Sequence, residues 1–368
     1  MERVICFHLF NDYSGSPKVM KMVLEGLLKK GYRIDLVSSK GGIFDELHYQ
    51  NLHRHSYPYR FSNNPAVTML RYCGVQFYTF LLAFRWLFCK GVVFYINTLL
   101  PIGPALAGKL MGKRIVYHYH ENAFAKGTFY KLLAKAMQKL ANEIICVSAY
   151  QASFLQRKEC VTVVPNALPQ DFISRLVFSP ETAFKRKQVL MLGSLKLYKS
   201  PLEFCKLAEN LPQYFFDLVV NDTQENIDLF IETYKLHISK NLLIYPQQND
   251  VAPFYNRASL VLNLSNKEKV VETFGLTALE AMSVGLPVIV PTEGGIAEMV
   301  ENGVNGYKID VTQLAKIEQT IESILEDKNL YIRLSNNALA CSKHYDINLM
   351  ISNIILCIDC LLYTSPSP

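Results

Sequence analysis

Two carboxylates eight residues apart, Glu272 and Glu280, stand in the most patterned stretch of the sequence, VETFGLTALEAMSVGLPVIVPTEGGIAEMVENGVNGY. Each carboxylate can accept two hydroxyl hydrogen bonds, which suits the diols of a sugar or a ribose. Glu272 falls in a loop after a strand, and Glu280 falls inside a short helix that starts near Leu276 and is closed by Gly285, with Pro287 just beyond. The first turn of such a helix presents backbone N–H groups and a dipole that favours phosphate. A cation, Lys199, stands in a second strand-to-helix loop, MLGSLKLYKSP, behind Gly193 and Ser194. Hydroxyl acceptors beside a helix N-terminus suit a sugar or ribose that carries phosphate. A third group lies in the first half of the chain. Gly15 in NDYSGSP lets the backbone come close to a ligand. In YHYHEN, strand alternation places His118 and His120 on one face. Glu298 follows Gly294 and Gly295 at a further helix start, where complementing the helix dipole is the simpler role.

These side chains need a frame, and the chain supplies one by alternating β-rich with helical runs. RVICFHLF, the loop NDYSGSPK, the helical VMKMVLEGLLKKG and YRIDLVSS form a first βαβ unit. Strands are expected at Val92 to Thr98, Arg114 to His120, Glu143 to Ser148 and Val161 to Pro165. From Asn166 to Arg186 the strand signal fades, so a domain boundary is placed near residue 178. The pattern restarts at Gln188 to Ser194 and continues through Phe216 to Asn221, Asn241 to Pro246, Ser259 to Ser265, Leu286 to Pro291 and Gly306 to Asp310. The chain therefore repeats one α/β architecture, a doubly wound parallel sheet, over 1–178 and 179–363. The part after Val311 is helical in pattern, and its last helices are expected to pack back toward the first domain. The ending, residues 364–368, includes Ser-Pro-Ser-Pro, which cannot propagate a helix and is expected to be disordered.

On Glu272, Phe274, Gly275, Glu280, Ala281, Met282, Gly285, Pro287, Gly294, Gly295, Glu298 and Gly306, all in register, the chain resembles glycosyltransferase family 4 and its GT-B relatives, the group 1 glycosyl transferases. That resemblance implies two Rossmann-like domains facing each other across a cleft, an acceptor-binding N-terminal one and a nucleotide-sugar-binding C-terminal one. It places Glu280 on the ribose hydroxyls. It gives the donor sugar and phosphates to Glu272 and to the backbone of Phe274, Gly275 and Leu276. Lys199 would grip the diphosphate beside Gly193 and Ser194, and Gly15 would approach the donor. A strand-ending histidine lies near the donor sugar in the family, and His120 matches it best, with His118 as the alternative. His120, Glu272 and Lys199 are thus the catalytic candidates. The chain departs from the family at Ser194, where an Arg clamp is usual, at Ser200, where a Gly is usual, and at Ala167, where a Gly follows Asn166. Lys196 is either a substitute cation or a solvated loop lysine.

The resemblance further implies a retaining transfer from a nucleotide diphosphate sugar to a saccharide or lipid-linked acceptor, in the setting of cell-surface polysaccharide synthesis. A departing nucleotide diphosphate gains negative charge, which something cationic must oppose. No Asp-x-Asp motif occurs in the sequence, so Lys199 and helix N-termini are the sources expected, and no metal or other cofactor is expected. A nucleotide-sugar epimerase of the same fold and a catalytically silent sugar-nucleotide binder are the rival readings.

Charge separates the halves. Residues 1–180 hold 22 Lys plus Arg against 10 Asp plus Glu, or +12, and the remainder holds 16 against 22, or −6. No acidic residue occurs between Leu47 and His120, where Arg54, Arg60, Arg71, Arg85, Lys90, Lys109, Lys113 and Arg114 fall. A basic domain points to an anionic partner. Interleaving with Phe, Tyr, Trp and Leu favours an anionic membrane surface over nucleic acid, beside the plainer reading of a core helix whose arginines reach solvent along their stems. The apolar run Gly74 to Cys89 carries Arg85 and falls short of about 20 residues, so it is not expected to span a bilayer. Nine cysteines in apolar runs, one pair of them a lone CxxC at Cys357 and Cys360, suit packed thiols in a reducing compartment. With an N-terminus that reads as a strand and not as a leader, a cytoplasmic protein is expected, peripheral at the inner face of the cell membrane.

Overall fold

The computed structural model describes residues 3–123 and 127–359, and in it the chain divides into two compact units. The ending 364–368 and Cys360 lie outside the described residues. One unit comprises 1–167 together with 347–368, and the other 168–346.

The first unit runs β1 (Arg3–Phe7), α1 (Gly15–Lys29), β2 (Arg33–Ser39), β3 (Leu52–Tyr57), α2 (Pro65–Ala83), β4 (Val92–Asn97), α3 (Ile102–Leu110), β5 (Arg114–Tyr119), α4 (Thr128–Leu140), β6 (Glu143–Cys146), α5 (Ala149–Ser153) and β7 (Val161–Val163). Its sheet is parallel throughout, in the order β3-β2-β1-β4-β5-β6-β7. Ile5 is in register with Asp35 on one side and Phe94 on the other. Helices cover both faces, so the central strands are buried on both sides and read as continuous apolar runs. Strand β3, LHRHSY, has no such run because it is the sheet edge, where His53 and Arg54 reach solvent. Hence no hydrophobic pattern announces it.

The second unit continues with α6 (Gln170–Ile173), α7 (Pro180–Arg186), β8 (Gln188–Gly193), α8 (Pro201–Asn210), β9 (Phe215–Val220), α9 (Gln224–Tyr234), β10 (Leu242–Tyr245), α10 (Ala252–Arg257), β11 (Leu260–Leu262), α11 (Leu276–Ser283), β12 (Val288–Val290), α12 (Gly295–Glu298), β13 (Gly306–Lys308), α13 (Leu314–Glu326) and α14 (Lys328–Ser342). Its parallel sheet has the order β10-β9-β8-β11-β12-β13. Both sheets thus reverse direction beside their first strand, between β1 and β4 and between β8 and β11. Such switch points leave a crevice at the carboxyl ends of the strands, where ligands of doubly wound folds bind.

Three sequence expectations are corrected. The boundary lies at 167/168, not near 178. Residues 168–178 belong with the second unit: Phe172 stands edge-on to Tyr255, and the Val177 N–H donates to Asn256 Oδ1 at 2.8 Å. The second unit ends at 346 and not at 363, and α15 (Ile347–Asp359), one of the last helices expected to pack back toward the first domain, belongs to the first unit. Ile351 fills the space where a Cβ on Gly26 of α1 would fall, 2.7 Å away. Tyr32 Oη donates to Asp359 Oδ2 at 2.6 Å, and Arg114 Nη2 to the Cys357 carbonyl at 2.8 Å. Finally, the apolar helix begins at Pro65 and not near Gly74. Asn64 caps it, its Oδ1 accepting from the Ala66 N–H at 2.9 Å. With the 3-10 turn Phe84–Trp86 it runs 22 residues, long and apolar enough to cross a membrane by length and composition, though only 28% of its most apolar window is buried. Its buried residues, Tyr72, Val75, Gln76, Thr79 and Ala83, form one stripe that seats the helix on its own unit.

Candidate active site

At the switch point of the second unit, β8 ends in Gly193 and the chain turns through Ser194 and Lys196 into a 3-10 turn, Leu197–Lys199. Lys199 Nζ donates to Glu272 Oε1, and stands 3.3 Å from Ser265 Oγ. Ser265 Oγ in turn donates to Glu272 Oε1 at 2.8 Å. Burial pushes the Glu272 carboxyl upward, but the Lys199 charge and hydrogen bonds from Lys199, Ser265 and Asn263 outweigh it and hold the group below its ordinary range. Glu272 is therefore ionised at neutral pH, with a fifth of its side chain still open to solvent.

The loop that carries Glu272 is fixed from behind. The Gly295 N–H donates to the Glu272 carbonyl at 2.8 Å. Gly294, at φ 107°, lies so close that a Cβ there would overlap the same carbonyl oxygen. The Gly-Gly turn is thus a clamp on the glutamate's backbone. Gly275, at φ 96°, caps α11 and abuts Ile296, which aims the first N–H groups of the helix. The Phe274 side chain is buried against Tyr345, their ring centroids 5.7 Å apart, so only its backbone could serve a ligand, together with that of Leu276. Glu280, inside α11, accepts from Tyr255 Oη on α10. Glu298 is exposed at the end of the four-residue α12.

Each departure in the Lys199 loop has a structural counterpart. Ser200 itself takes the left-handed conformation, φ 58°, that Gly would adopt freely, and its buried Oγ has no hydrogen-bond partner among the described residues. A Cβ on Gly193 would meet only Lys199 Cβ, at 3.9 Å, so packing within the chain does not require that glycine. Lys196 is exposed, its Nζ 5.8 Å from the Tyr198 ring centroid, and Ser194 is half-buried.

The switch point of the first unit holds three histidines, two of them bonded to one amide. Asn97, the last residue of β4, has Nδ2 at 3.1 Å from His8 Nδ1 and 3.4 Å from the Ser16 carbonyl, with Oδ1 2.9 Å from His120 Nε2. The carbonyl can only accept, which orients the amide, so His120 Nε2 must carry its proton. Burial, with His118 and His8 nearby, holds His120 well below its ordinary pKa, and the ring is neutral at physiological pH. His118 is fully enclosed, hydrogen-bonded to Tyr95 Oη at 2.6 Å and pushed down by burial to about 3. His120 keeps partial exposure at the strand end. Gly15 is the exposed first residue of α1. Next to Asn97, Thr98 has φ 73°, a rare and strained conformation for a β-branched residue, and its N–H donates to the His118 carbonyl at 2.9 Å. Sequence reading overlooked Asn97, His8, Ser265 and Tyr255. For Asn97, His8 and Ser265 the only signal was position near strand ends, which has meaning once strand order is known, and Tyr255 lies inside helix α10.

Two family models match successive parts of the chain, Glycosyltransferase Family 4 over residues 13–172 and Glycosyl transferases group 1 over 174–340. The chain belongs to this family, and its fold is GT-B. It is 32% identical over 121 residues to N-acetyl-alpha-D-glucosaminyl L-malate synthase of Bacillus anthracis, covering 33% of this chain and 31% of that one. It is 24% identical over 235 residues to poly(glycerol-phosphate) alpha-glucosyltransferase of Bacillus subtilis, covering 62% of this chain and 34% of that one. The matched part thus spans about a third of the length of these two relatives. In structure it is similar to Anabaena HepE in complex with UDP and glucose, at TM-score 0.78 and 18% identity, over 98% of this chain and 100% of that one.

Proposed function

We propose that this protein is a retaining, metal-independent glycosyltransferase that moves a sugar from a nucleotide diphosphate sugar to a saccharide or lipid-linked acceptor. We place it in cell-surface polysaccharide synthesis, at the cytoplasmic face of the membrane. The observation that carries the reading is the Lys199–Ser265–Glu272 constellation at the second switch point, with Glu280 on the adjoining helix. Lys199 and the first N–H groups of α11 hold the diphosphate and oppose the charge that grows on it as the C–O bond breaks. Glu272 accepts hydroxyls of the sugar, and Glu280 those of the ribose. His120 presents a neutral imidazole to the donor sugar. The acceptor oxygen bonds to the anomeric carbon on the face that the phosphate leaves, and its proton passes to the departing phosphate oxygen, so no protein base is required. Metal independence requires activity that survives a chelator.

Support for a nucleotide-sugar donor comes from HepE, a structural neighbour described with UDP and glucose. The test offers UDP-, GDP- and ADP-sugars to the purified protein and follows slow donor hydrolysis with and without EDTA. Lys199→Ala should lower turnover by about 10²–10³-fold, and Glu280→Ala should weaken donor binding by roughly tenfold or more. Unchanged affinity and rate in both variants would remove the pocket and the activity together. The Ser at 194 favours one rival, a silent binder, which would show donor affinity with no turnover. An epimerase would return isomerised sugar without transfer.

A further inference from the structure

The first unit carries a further concave surface in which cations gather without carboxylates. Beyond the carboxyl ends of β2 and β3, Lys40, Tyr57, Tyr59, Arg60 and Arg71 line an open cavity of about 580 Å³. Among the described residues, none of Lys40, Arg60 and Arg71 pairs with an acidic side chain. The cavity is built rather than incidental. Tyr57 Oη donates to the carbonyls of His8 and Leu9 at 2.9 and 2.8 Å, which ties its wall to the end of β1. Arg71 Nη1 donates to the carbonyls of Arg60 and Phe61 at 3.0 and 3.3 Å, which draws two guanidinium-bearing residues to one place.

This cavity adjoins the outer face of α2. Arg71 belongs to both, and Tyr78 of the helix stands edge-on to Tyr57, ring centroids 6.1 Å apart. Along that face Leu70 is 74% exposed, Phe77 65% and Leu81 53%, and just beyond the helix Phe88 is 93% exposed. The spacing of seven and four residues from Leu70 to Phe77 to Leu81 follows a single helical face. An apolar stripe this continuous, rimmed by Arg60, Arg71, Arg85 and Lys90 with no acidic residue, matches an anionic leaflet in both polarity and charge. Because the opposite stripe is seated on its own unit, α2 can lie on a bilayer but not cross it.

We propose that this face docks on an anionic membrane, and that Lys40, Arg60 and Arg71 receive the phosphate of a lipid whose chains lie along Leu70, Phe77 and Leu81. Guanidinium forks match phosphate oxygens in geometry and remain charged at any cellular pH. The inference deepens the acceptor half of the proposed function, making a lipid phosphate the group by which the acceptor is recognised.

The test is sedimentation of the full chain with vesicles of phosphatidylcholine alone or mixed with phosphatidylglycerol, with sugar-nucleotide binding measured on the same samples. Wild type should sediment with the mixed vesicles and be released by salt. The double variant Lys40→Gln/Arg60→Gln should lose about fivefold in partitioning per charge, about 25-fold in all, with an unchanged thermal midpoint. Leu70→Ser/Phe77→Ser/Leu81→Ser should abolish the binding that survives in high salt. Equal binding to neutral and anionic vesicles, or no loss in the charge variant, would overturn the proposal. So would inorganic phosphate binding that depends on Lys40 and Arg60 without any binding to vesicles. Every variant should keep its sugar-nucleotide affinity. Absence of that affinity in wild type strikes at the glycosyltransferase reading and leaves the vesicle result standing.

Discussion

Asn97 shows how much of a site can hang on a residue that sequence reading passes over. Its amide joins His8, Ser16 and His120, and the residue that follows it, Thr98, takes a strained conformation. Replacing it with a carboxylate reverses the electrostatics. In Asn97→Asp, a negative charge beside His120 raises a pKa that burial now keeps well below its ordinary value. If the neutral ring is the working form, turnover in the variant should fall as pH drops through the range where free imidazole titrates, about 6.5. Wild type should show no such limb, and the donor KM should be unchanged at high pH. Identical pH–rate profiles would mean that Asn97 serves packing alone. His118 and His120 could not be told apart by alternation, because both share a face. Their difference is one of enclosure, and that depends on Tyr95 of the neighbouring strand.

Among the elements, strands that carry apolar runs were legible in the sequence to within a few residues. β8 ends at Gly193, just short of the expected Ser194, and α11 starts at Leu276 as the pattern implies. What escaped lacked an apolar signal: the edge strand β3 has a polar face, and the start of α2 depends on an Asn64 cap. The Gly-Gly turn was legible as a motif, but its purpose was not. Since Gly294 touches the Glu272 carbonyl, Gly294→Ala adds a steric overlap to the cost of a positive φ. Gly303→Ala makes a control, because its φ is 72° but its nearest neighbour, Tyr307 Oη, would be 4.0 Å away. The control should lose about 1–2 kcal/mol in denaturant titration. Gly294→Ala should lose more, at least about 3 kcal/mol, and should weaken sugar-nucleotide binding besides. Equal losses would show that the turn does not position the glutamate.

Taken as a whole, the molecule uses one plan twice, down to a buried aspartate third in the strand beside each central one: Asp35 in β2 and Asp217 in β9. The two copies differ in their electrostatics. For Asp35, burial works upward, but Arg3 at 2.6 Å and His55 at 3.0 Å prevail and lower the pKa. For Asp217, burial prevails over Arg257 and raises it. A depressed folded pKa contributes stability above the unfolded value of about 3.9, and that stability is lost as pH falls through the folded one. Asp35→Asn should therefore cost roughly 3 kcal/mol at neutral pH and flatten the acid limb of the stability curve. Asp217→Asn should cost less and leave that limb in place. A steeper acid limb in Asp35→Asn would contradict the assignment. At this same scale, the inward commitment of the Tyr72-to-Ala83 stripe limits how far the protein can sink into lipid, to roughly the 5–10 Å depth of an interfacial helix. If that face docks on a leaflet as proposed, residence there is a partition equilibrium that follows the supply of negatively charged lipid, and no insertion machinery is needed to seat or remove the protein.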